Sequence, residues 1–426
     1  MHPALPPLPL PPPATRAAIG AAAAAPPPDL EALAGLLGAL TGARTSLTAV
    51  AALLRAEPGL APRLFERIVP AVLRHAAALP VAGAPSLLVT AQPGRVVLGR
   101  QVAASLVAHL VLGTLPPAPG QAMPHTSFDR LLATGARPEQ AKLRCVLAYF
   151  DRIADGAPSG AITIERDVLT PRTLADWAAD PAPLGPLEVA PEGGVEDSAG
   201  AAQVDFANRF LGGGVLSGGC VQEEIRFSVC PELLAALPLC AMMNDNEAIR
   251  LHGAERFAKL DGYGFTIAFG GDVHDSTPRL PDGTADVTLI AIDAIDLRRE
   301  RDPNLQFQPT WLRREADKAL VGFGGARPPP RAPALVATGH WGCGAFGGDH
   351  ALKAVLQWLA ASAAGVGLRY HTYGDGRAGD LEGFTHAARN HFGTVGALWS
   401  RLLAVAPRAP TSPTPPWLFD ALLGAS

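Results

Sequence analysis

The sequence has little of what would mark it for a membrane, the cell exterior or nucleic acid. Hydrophobic residues make up 48% of its 426 residues, yet no uninterrupted apolar run approaches the ~20 residues that a membrane-spanning helix requires. The five cysteines are scattered and never form a C-x-x-C pair, which disfavours a disulfide framework or a structural zinc site. The formal net charge is −4, whereas proteins that bind nucleic acid regardless of its sequence usually carry an excess of basic residues. We therefore expect a soluble protein of the cytosol or nucleus that does not bind DNA directly.

Several catalytic motifs are also missing. The sequence has no G-x-S-x-G elbow, no H-E-x-x-H and no histidine pair at helical spacing, so serine-hydrolase and metal chemistry are disfavoured. It has no G-x-x-x-x-G-K-[ST] either, and Lys353 comes too late in its loop to act as a P-loop lysine. Nucleoside triphosphate hydrolysis is therefore disfavoured as well.

Composition divides the chain into four regions. Residues 1–28 are almost wholly Pro, Ala and Leu, which predicts a disordered tail, with a targeting signal as the less favoured alternative. Apolar residues recur at three- and four-residue intervals over 29–160, which predicts a mainly helical accessory region. Short β-rich runs alternate with helical stretches over 161–405, which predicts an α/β domain. Residues 406–426 again indicate a loosely ordered tail.

Two glycine-rich loops follow predicted strands in the α/β region. The first runs from Gly212 to Gly219, shortly before an acidic pair, and the second runs from Gly339 to Gly348. Glycine lets backbone N–H groups approach a phosphate closely, and a following helix N-terminus adds favourable partial charge. A diphosphate ligand fits both loops, although either loop alone could be only a tight turn.

The acidic pair, Glu223 and Glu224, is the candidate catalytic group. In isolation an ordinary solvated pair is the favoured explanation. The apolar Ile225, Phe227 and Val229 follow it, so we expect at least one carboxyl at the edge of a packed interior. Burial and a second carboxylate favour the protonated form of such a group, as suits the acid that glycosidic cleavage needs.

Three nearby residues could contact a nucleotide sugar. The stretch 204–210 alternates as a strand does, and Asp205 and Asn208 within it could bind hydroxyl groups, or form only a strand-end turn or cap. Tyr263 lies in the turn D-G-Y-G, where it could stack on a base. An exposed loop tyrosine is the alternative.

These motifs resemble the poly(ADP-ribose) glycohydrolase family. The segment GGG-x7-QEE from Gly212 to Glu224 is similar to the family's signature, and the flanking VDFANRFLGGG and EEIRFSVCPELL agree in order. So do LIAIDAID at 289–296 and ATGHWGCGAFGGDHALKAVLQ at 337–357. The resemblance spans about residues 60–400. It implies a three-layer α/β/α macrodomain-like core with a mixed sheet, preceded by a mainly helical accessory domain.

The resemblance also implies a role for each site residue. Glu224 is the general acid and then the base, and Glu223 positions ribose hydroxyls. Asp205 and Asn208 match the positions that organise the catalytic loop and the distal ribose. The other matches are Gly213 and Gly214 in the catalytic loop, Gln222 and Tyr263 on the adenine side, and Gly344, Ala345 and Phe346 in the diphosphate loop. Val195 and Glu196 match further adenine contacts, although their spacing to Asp205 is one residue shorter than in the family.

Two substrate-binding positions depart from the family pattern. Tyr373 stands where animal members tend to carry a phenylalanine that packs over the scissile ribose. A tyrosine can pack in the same way and add a hydroxyl, so we expect altered affinity and retained chemistry. His340 replaces the Asn of TGNWGCGAF, and we hypothesise that it changes phosphate contacts or pH dependence.

The resemblance implies an activity and a set of partners. The expected reaction is hydrolysis of ribose–ribose O-glycosidic bonds in poly(ADP-ribose) on modified proteins, through an oxocarbenium-like transition state, with ADP-ribose as product. No metal or organic cofactor is expected, and the chain is expected to be a monomer. Two alternatives stay open: a non-catalytic macrodomain reader, which the intact Gln222-Glu223-Glu224 disfavours, and a hydrolase that removes protein-linked mono-ADP-ribose.

Overall fold

The computed structural model describes residues 4–300, 302–324, 334–410 and 417–424. Contacts divide the chain into two compact units that alternate along the sequence. The first unit comprises Met1–Glu165, Phe210–Met242 and Leu251–Asp286, and the second comprises Arg166–Arg209, Met243–Arg250 and Val287–Ser426. Among the described residues, we find no helix that is both long and apolar enough to cross a membrane.

Helices dominate the first unit, and helices and strands alternate in the second. In chain order the α-helices are α1 (Pro13–Ala24), α2 (Leu30–Thr41), α3 (Thr48–Ala56), α4 (Leu60–Arg63), α5 (Val69–Ala77), α6 (Arg100–Leu112), α7 (Asp129–Ala133), α8 (Arg137–Arg152), α9 (Leu174–Ala178), α10 (Gln222–Val229), α11 (Pro309–Phe323), α12 (His350–Ala364), α13 (Leu381–Phe392), α14 (Val395–Val405) and α15 (Trp417–Leu423). The strands are β1 (Gly94–Gly99), β2 (Ala161–Val168), β3 (Leu187–Ala190), β4 (Ala202–Ala207), β5 (Glu247–His252), β6 (Ala258–Asp261), β7 (Ala268–Asp272), β8 (Thr288–Asp293), β9 (Leu335–Thr338) and β10 (Gly367–His371).

A largely parallel sheet forms the centre of the second unit. Its strands follow the order β2-β5-β8-β4-β9-β10-β3, with β2 and β5 continuing into the first unit, where β1 neighbours β2. Strand β4 pairs in parallel with β8 and β9, and β10 pairs in parallel with β9 and β3. Helices α11, α12 and α13 pack against β8, β10 and β3 respectively. The predicted α/β fold class is confirmed.

The core of the second unit is built around tryptophan. Trp177, Trp341, Trp358 and Trp399 are all fully buried in one apolar cluster. Each indole N–H donates to a protein acceptor: the Asp317 carboxylate, or the carbonyls of residues 292, 185 and 174. These large side chains are therefore buried without leaving a polar group unsatisfied.

The two predicted tails differ from expectation where the structure describes them. Helix α1 lies within residues 1–28, and its Ile19 is buried. A proline in its first turn suits a helix start, and alanine is the best helix former. Helix α15 lies within 406–426 and buries residues 418, 419 and 422. Positions 411–416 and 425–426 of this tail lie outside the described residues.

The contact-based units do not follow the single linear boundary expected near residue 160. Residues 210–242 and 251–286, which include the acidic pair, belong to the unit of the helical region. The cause is packing: α10 contacts α8, and β7 contacts α8. The linear domain bounds stay predictions.

Candidate active site

The predicted site residues fall into two groups, one in each unit. The first unit holds Gly213, Gly214, Gln222, Glu223, Glu224 and Tyr263, and the second holds Val195, Glu196, Asp205, Asn208, His340, Gly344, Ala345, Phe346 and Tyr373.

The carboxylate of Glu224 is held at the start of α10 by backbone N–H groups. Its Oε2 accepts from the N–H of Val221 at 2.9 Å, and its Oε1 accepts from the N–H of Gly214 at 2.8 Å. Glu224 is the third residue of the helix, the position from which a glutamate commonly reaches back to the residue before the first turn. The side chain is only 6% exposed. Both oxygens are therefore fixed in orientation, one by the helix start and one by the glycine loop.

Glu223 is held by the same loop. Its Oε1 accepts from the N–H of Gly212 at 2.6 Å, and the residue is 2% exposed. The expectation that at least one carboxyl of the pair is buried is confirmed for both.

Glycine is required in this loop because the two carboxylates lie against its backbone. Gly213 has a φ of +51°, and a Cβ there would lie 2.5 Å from Oε1 of Glu224 and 2.6 Å from Oε2 of Glu223. A Cβ on Gly219 would lie 2.6 Å from Oε1 of Glu224. No side chain fits at these distances, so the glycines are what allow the loop to enclose the acidic pair.

Sequence reasoning missed Lys142, which organises the glycine loop from α8. Its Nζ donates to the carbonyl oxygens of Gly219 at 2.6 Å, Gly214 at 3.3 Å and Ser217. The residue is 1% exposed. Burial lowers its pKa to about 8, while the charge of Glu224 acts to raise it. The one available signal was a lysine placed between Ala141 and Leu143, close to the start of the apolar part of α8.

Tyr263 combines an exposed ring with an anchored hydroxyl. The residue is 60% exposed and follows β6. The backbone N–H of Gln222, the first residue of α10, donates to its hydroxyl. Burial of that end raises the pKa of the hydroxyl, and the hydrogen bond from Gln222 acts in the opposite direction. An aromatic face is thereby held open beside the helix that carries the acidic pair.

In the second unit, Asp205 and Asn208 lie at the carboxyl end of β4. Asp205 is buried and stands opposite Ala291 of β8 in the parallel register, and Asn208 follows the last strand residue and is half-buried. Ligands of open α/β sheets bind at this end of the strands.

The predicted adenine contacts Val195 and Glu196 differ in exposure. Both lie in a 3-10 turn, where Val195 is buried against Ala201 and Ala337. Glu196 is exposed, and its carbonyl accepts from Nε2 of Gln203 at 3.3 Å. The Val195 side chain therefore belongs to the core, and only Glu196 presents its side chain to solvent.

The second glycine loop connects β9 to α12 and leaves its middle exposed. Gly344 and Ala345 are exposed, and Phe346 is half-buried with its carbonyl accepting from the N–H of Leu297 at 3.0 Å. The guanidinium of Arg298 lies 5.2 Å from the centre of the Phe346 ring. Arg298 was not predicted; its guanidinium lies beside the expected diphosphate loop and is paired with the Asp296 carboxylate at 2.8 Å.

Lys353 supports this loop from beneath, as a structural residue. It is buried in α12, forms an ion pair with Glu315, and its Nζ lies 4.3 Å from the centre of the Trp341 ring. A Cβ on Gly348 would lie 2.9 Å from its Cε. Burial lowers the pKa of Lys353 well below its usual value. Its position agrees with the expectation that it is no P-loop lysine.

The side chains of Tyr373 and His340 lie close to each other, near the start of the second glycine loop. Their ring centres are 5.7 Å apart, and Tyr373 adopts a φ of +55°, which is uncommon for a residue with a bulky side chain. A Cβ on Gly339 would lie 2.9 Å from the Tyr373 ring. Such backbone strain is often retained at functional sites.

Two protein-family models match this chain, one over the α/β region and one over the helical region. The family model described as poly(ADP-ribose) glycohydrolase, macro domain fold, matches residues 174–380. The model described as poly(ADP-ribose) glycohydrolase, helical domain, matches residues 57–166.

Curated relatives carry the same family name. Poly(ADP-ribose) glycohydrolase 1 of Arabidopsis thaliana is 32% identical over 390 residues, which cover 74% of this chain and 70% of that protein. Poly(ADP-ribose) glycohydrolase 1 of Caenorhabditis elegans is 36% identical over 259 residues, which cover 58% of this chain and 33% of that protein. This chain therefore spans only a third of the length of the nematode relative.

Solved structures are similar only weakly. The poly(ADP-ribose) glycohydrolase of Thermomonospora curvata is 20% identical with a TM-score of 0.34, covering 53% of this chain and 85% of that one. The Deinococcus radiodurans enzyme in complex with ADP-ribose is 20% identical with a TM-score of 0.31, covering 52% and 95%. The assignment rests instead on the family models and the Arabidopsis relative, by which this chain belongs to the poly(ADP-ribose) glycohydrolase family.

Proposed function

We propose that this protein hydrolyses the ribose–ribose O-glycosidic bonds of poly(ADP-ribose) and releases ADP-ribose, with Glu224 as the general acid and base. The observation that carries the proposal is the enclosure of the Glu224 carboxylate by the glycine loop. Its two oxygens each accept one backbone N–H, and the neighbouring glycines leave no room for a side chain. The names of the family and of its curated relatives supply the reaction.

The hydrogen bonds of Glu224 leave it able to move a proton. A carboxylate oxygen has more than one acceptor site, so each oxygen keeps acceptor capacity after its single backbone bond. In its protonated form the group donates to the departing ribose oxygen, and in its ionised form it takes a proton from the attacking water. A carboxyl held in one orientation meets the reacting bond with little further ordering.

Glu223 has a supporting role in the proposal. One of its oxygens is bound to the Gly212 N–H, and the carboxylate is proposed to orient ribose hydroxyls. Negative charge on the acidic pair also favours the positive charge that develops on ribose in the transition state.

The remaining site residues are proposed as ligand contacts, each within its own unit. In the first unit, the exposed ring of Tyr263 is proposed to stack on adenine, with Gln222 as a further contact and Gly213 and Gly214 lining the catalytic loop. In the second unit, the contacts are proposed to come from Asp205, Asn208, Glu196, His340, Tyr373 and the exposed loop residues Gly344, Ala345 and Phe346, while Val195 is buried and supports this surface from within.

The deciding experiment compares the full chain with Glu224→Gln, which keeps the size of the side chain and removes its ionisable proton. Both are incubated with labelled poly(ADP-ribose) and, separately, with mono-ADP-ribosylated protein. We expect the wild type to shorten the polymer and release ADP-ribose, and Glu224→Gln to lose ~100-fold or more of that rate, as removal of a general acid–base group does.

Glu382→Gln is the matched control, because Glu382 is an exposed glutamate in the first turn of α13. It should keep the wild-type rate. Polymer binding without shortening in the wild type would overturn the proposal in favour of a reader, and activity on the mono-ADP-ribosylated protein alone would favour the second hydrolase.

We further propose that the protein acts as a monomer on modified proteins in the cytosol or nucleus, without contacting DNA. The five cysteines are buried and free in the part of the chain that the structure describes, which suits a reducing compartment. Light scattering after size-exclusion chromatography tests the oligomeric state, and a fluorescent fusion tests the compartment.

A further inference from the structure

Three potential metal ligands meet in the second unit. His340 comes from the loop after β9, His350 is the first residue of α12, and Asp375 follows β10. One ligand atom from each lies within 4.8 Å of the others. The two histidines are ten positions apart and flank a glycine loop, so no helical spacing in the sequence predicts that they come together.

Each of the two imidazoles has one nitrogen without a hydrogen-bond partner in the described part of the chain. Among the described residues, Nε2 of His340 and Nε2 of His350 are buried and have no hydrogen-bond partner. His350 is 8% exposed, and the two ring centres are 4.6 Å apart. A buried polar atom without a hydrogen-bond partner is unfavourable. Two such atoms close together therefore indicate a site for a ligand.

Asp375 supplies an oriented carboxylate. Its Oδ1 accepts from the backbone N–H of Arg377 at 2.9 Å, and its Oδ2 accepts from Nε of Arg377 at 2.7 Å. Carboxylates that bind metals are commonly held by such outer hydrogen bonds.

We propose that His340, His350 and Asp375 bind one divalent transition-metal ion, for which Zn²⁺ is the best match. Two imidazole nitrogens and one carboxylate oxygen suit Zn²⁺ and disfavour Mg²⁺ or Ca²⁺, which prefer oxygen ligands alone. Ligand atoms around tetrahedral Zn²⁺ lie about 3.4 Å apart, so side-chain rotations that draw these atoms together by up to about 1.4 Å complete the site. The fourth position is left for water.

The bound ion would connect three segments of the second unit. These are the glycine loop that begins at Gly339, the start of α12 and the loop after β10. Metal binding is therefore expected to stabilise the folded state, because the unfolded chain lacks the assembled site.

The test is a titration of the full chain with Co²⁺ after removal of metals with a chelator. Co²⁺ in a tetrahedral site has an intense visible spectrum, and elemental analysis after dialysis against Zn²⁺ gives the number of ions bound. We expect one ion per chain and a higher melting temperature with Zn²⁺. His340→Asn and His350→Gln should each weaken Co²⁺ binding by more than the roughly 10- to 100-fold typical for loss of an outer-shell partner.

His386→Gln is the matched control, since His386 is exposed on α13. It should bind as the wild type does. Circular dichroism without metal shows whether each variant is folded, and binding is compared only among folded variants. A wild type that takes up no stoichiometric Co²⁺ or Zn²⁺ overturns the inference, and so does unchanged binding in folded His340→Asn and His350→Gln. Because the readout is binding, its failure leaves the proposed hydrolase activity untouched.

Discussion

At the scale of single residues, a buried lysine connects the helical region to the glycine loop around Glu224. Lys142 binds three carbonyl oxygens of the glycine loop with one ammonium group. Charged donors make stronger hydrogen bonds than neutral ones. We therefore propose Lys142 as a positioning residue for Glu224, whose Oε1 is bound by the same loop.

We predict that Lys142→Met lowers kcat by roughly tenfold or more, the effect of about 1.4 kcal/mol in the transition state. The reason is that methionine fills the space but leaves three loop carbonyls without their donor. Steady-state kinetics on labelled polymer measures the change, and Lys259→Met, at an exposed lysine of β6, should keep the wild-type rate.

The pH dependence of the free energy of unfolding shows whether burial shifts the pKa of Lys142. Because burial lowers the folded-state pKa of Lys142 to about 8 from 10.5, the unfolded chain binds more protons between these values. Stability should therefore rise with pH across this window relative to Lys142→Met, and the cost of burying the charge is fully present below about pH 8. Urea unfolding of both proteins across the window measures the difference. A difference that stays constant with pH across this window would show that burial does not shift the pKa of Lys142.

At the scale of elements, the start of α10 and the loop before it act as one device. Val221, the residue just before the helix, and Gly214 in the loop each donate a backbone N–H to the same carboxylate. The glycines are recognisable in the sequence, but the reason for each is recognisable only in the structure. The backbone conformation of Gly219 does not require glycine; glycine is required there because Glu224 and the backbone of Gly214 approach closely.

We predict that Gly219→Ala lowers kcat by about 100-fold, because an added methyl displaces the Glu224 carboxylate and a misplacement of about 1 Å can cost that much. Substrate KM should change far less, which kinetics on the polymer can resolve. The matched control is Gly35→Ala in α2, where an added Cβ meets no atom within 4 Å. It should keep the rate and stabilise the helix by about 0.5–1 kcal/mol. A Gly219→Ala protein with wild-type kcat would mean that the loop does not position Glu224.

At the scale of the whole molecule, buried charge supports the second unit. Arg314 pairs with Asp293 at 2.5 Å, Lys318 pairs with Asp293 at 2.7 Å, and Glu315 pairs with Lys353. All are buried. Removing one partner from such a network leaves an uncompensated charge in the interior.

We predict that Glu315→Gln destabilises the protein by about 3–5 kcal/mol, since Lys353 then loses its buried counter-ion. Urea unfolding followed by tryptophan fluorescence measures the loss. Glu188→Gln is the control, because Glu188 is the exposed partner in its pair with Arg369 and its substitution should change stability by less than about 1 kcal/mol. Equal effects of the two substitutions would contradict the prediction.

Much of the fold and part of the site could be predicted from the sequence. Apolar periodicity predicted the helical region and the α/β alternation, and glycine spacing located both loops. The same reasoning expected a disordered segment over residues 1–28, where α1 packs against α5. Composition alone does not show which apolar side chains find a partner, and Ile19 found one.

The sequence by itself determined the features that depend on neighbouring residues: the α/β class, the glycine loops and the adjacent acidic pair at a helix start. Propensity, periodicity and the conformational freedom of glycine act over a few positions, so they can be read in order along the chain. The tertiary structure alone decided that Lys142 reaches a loop 72 to 77 positions away, that the Val195 side chain is buried, and that His340, His350 and Asp375 meet. Packing chooses such distant contacts, because the whole fold decides which buried groups come within reach of one another.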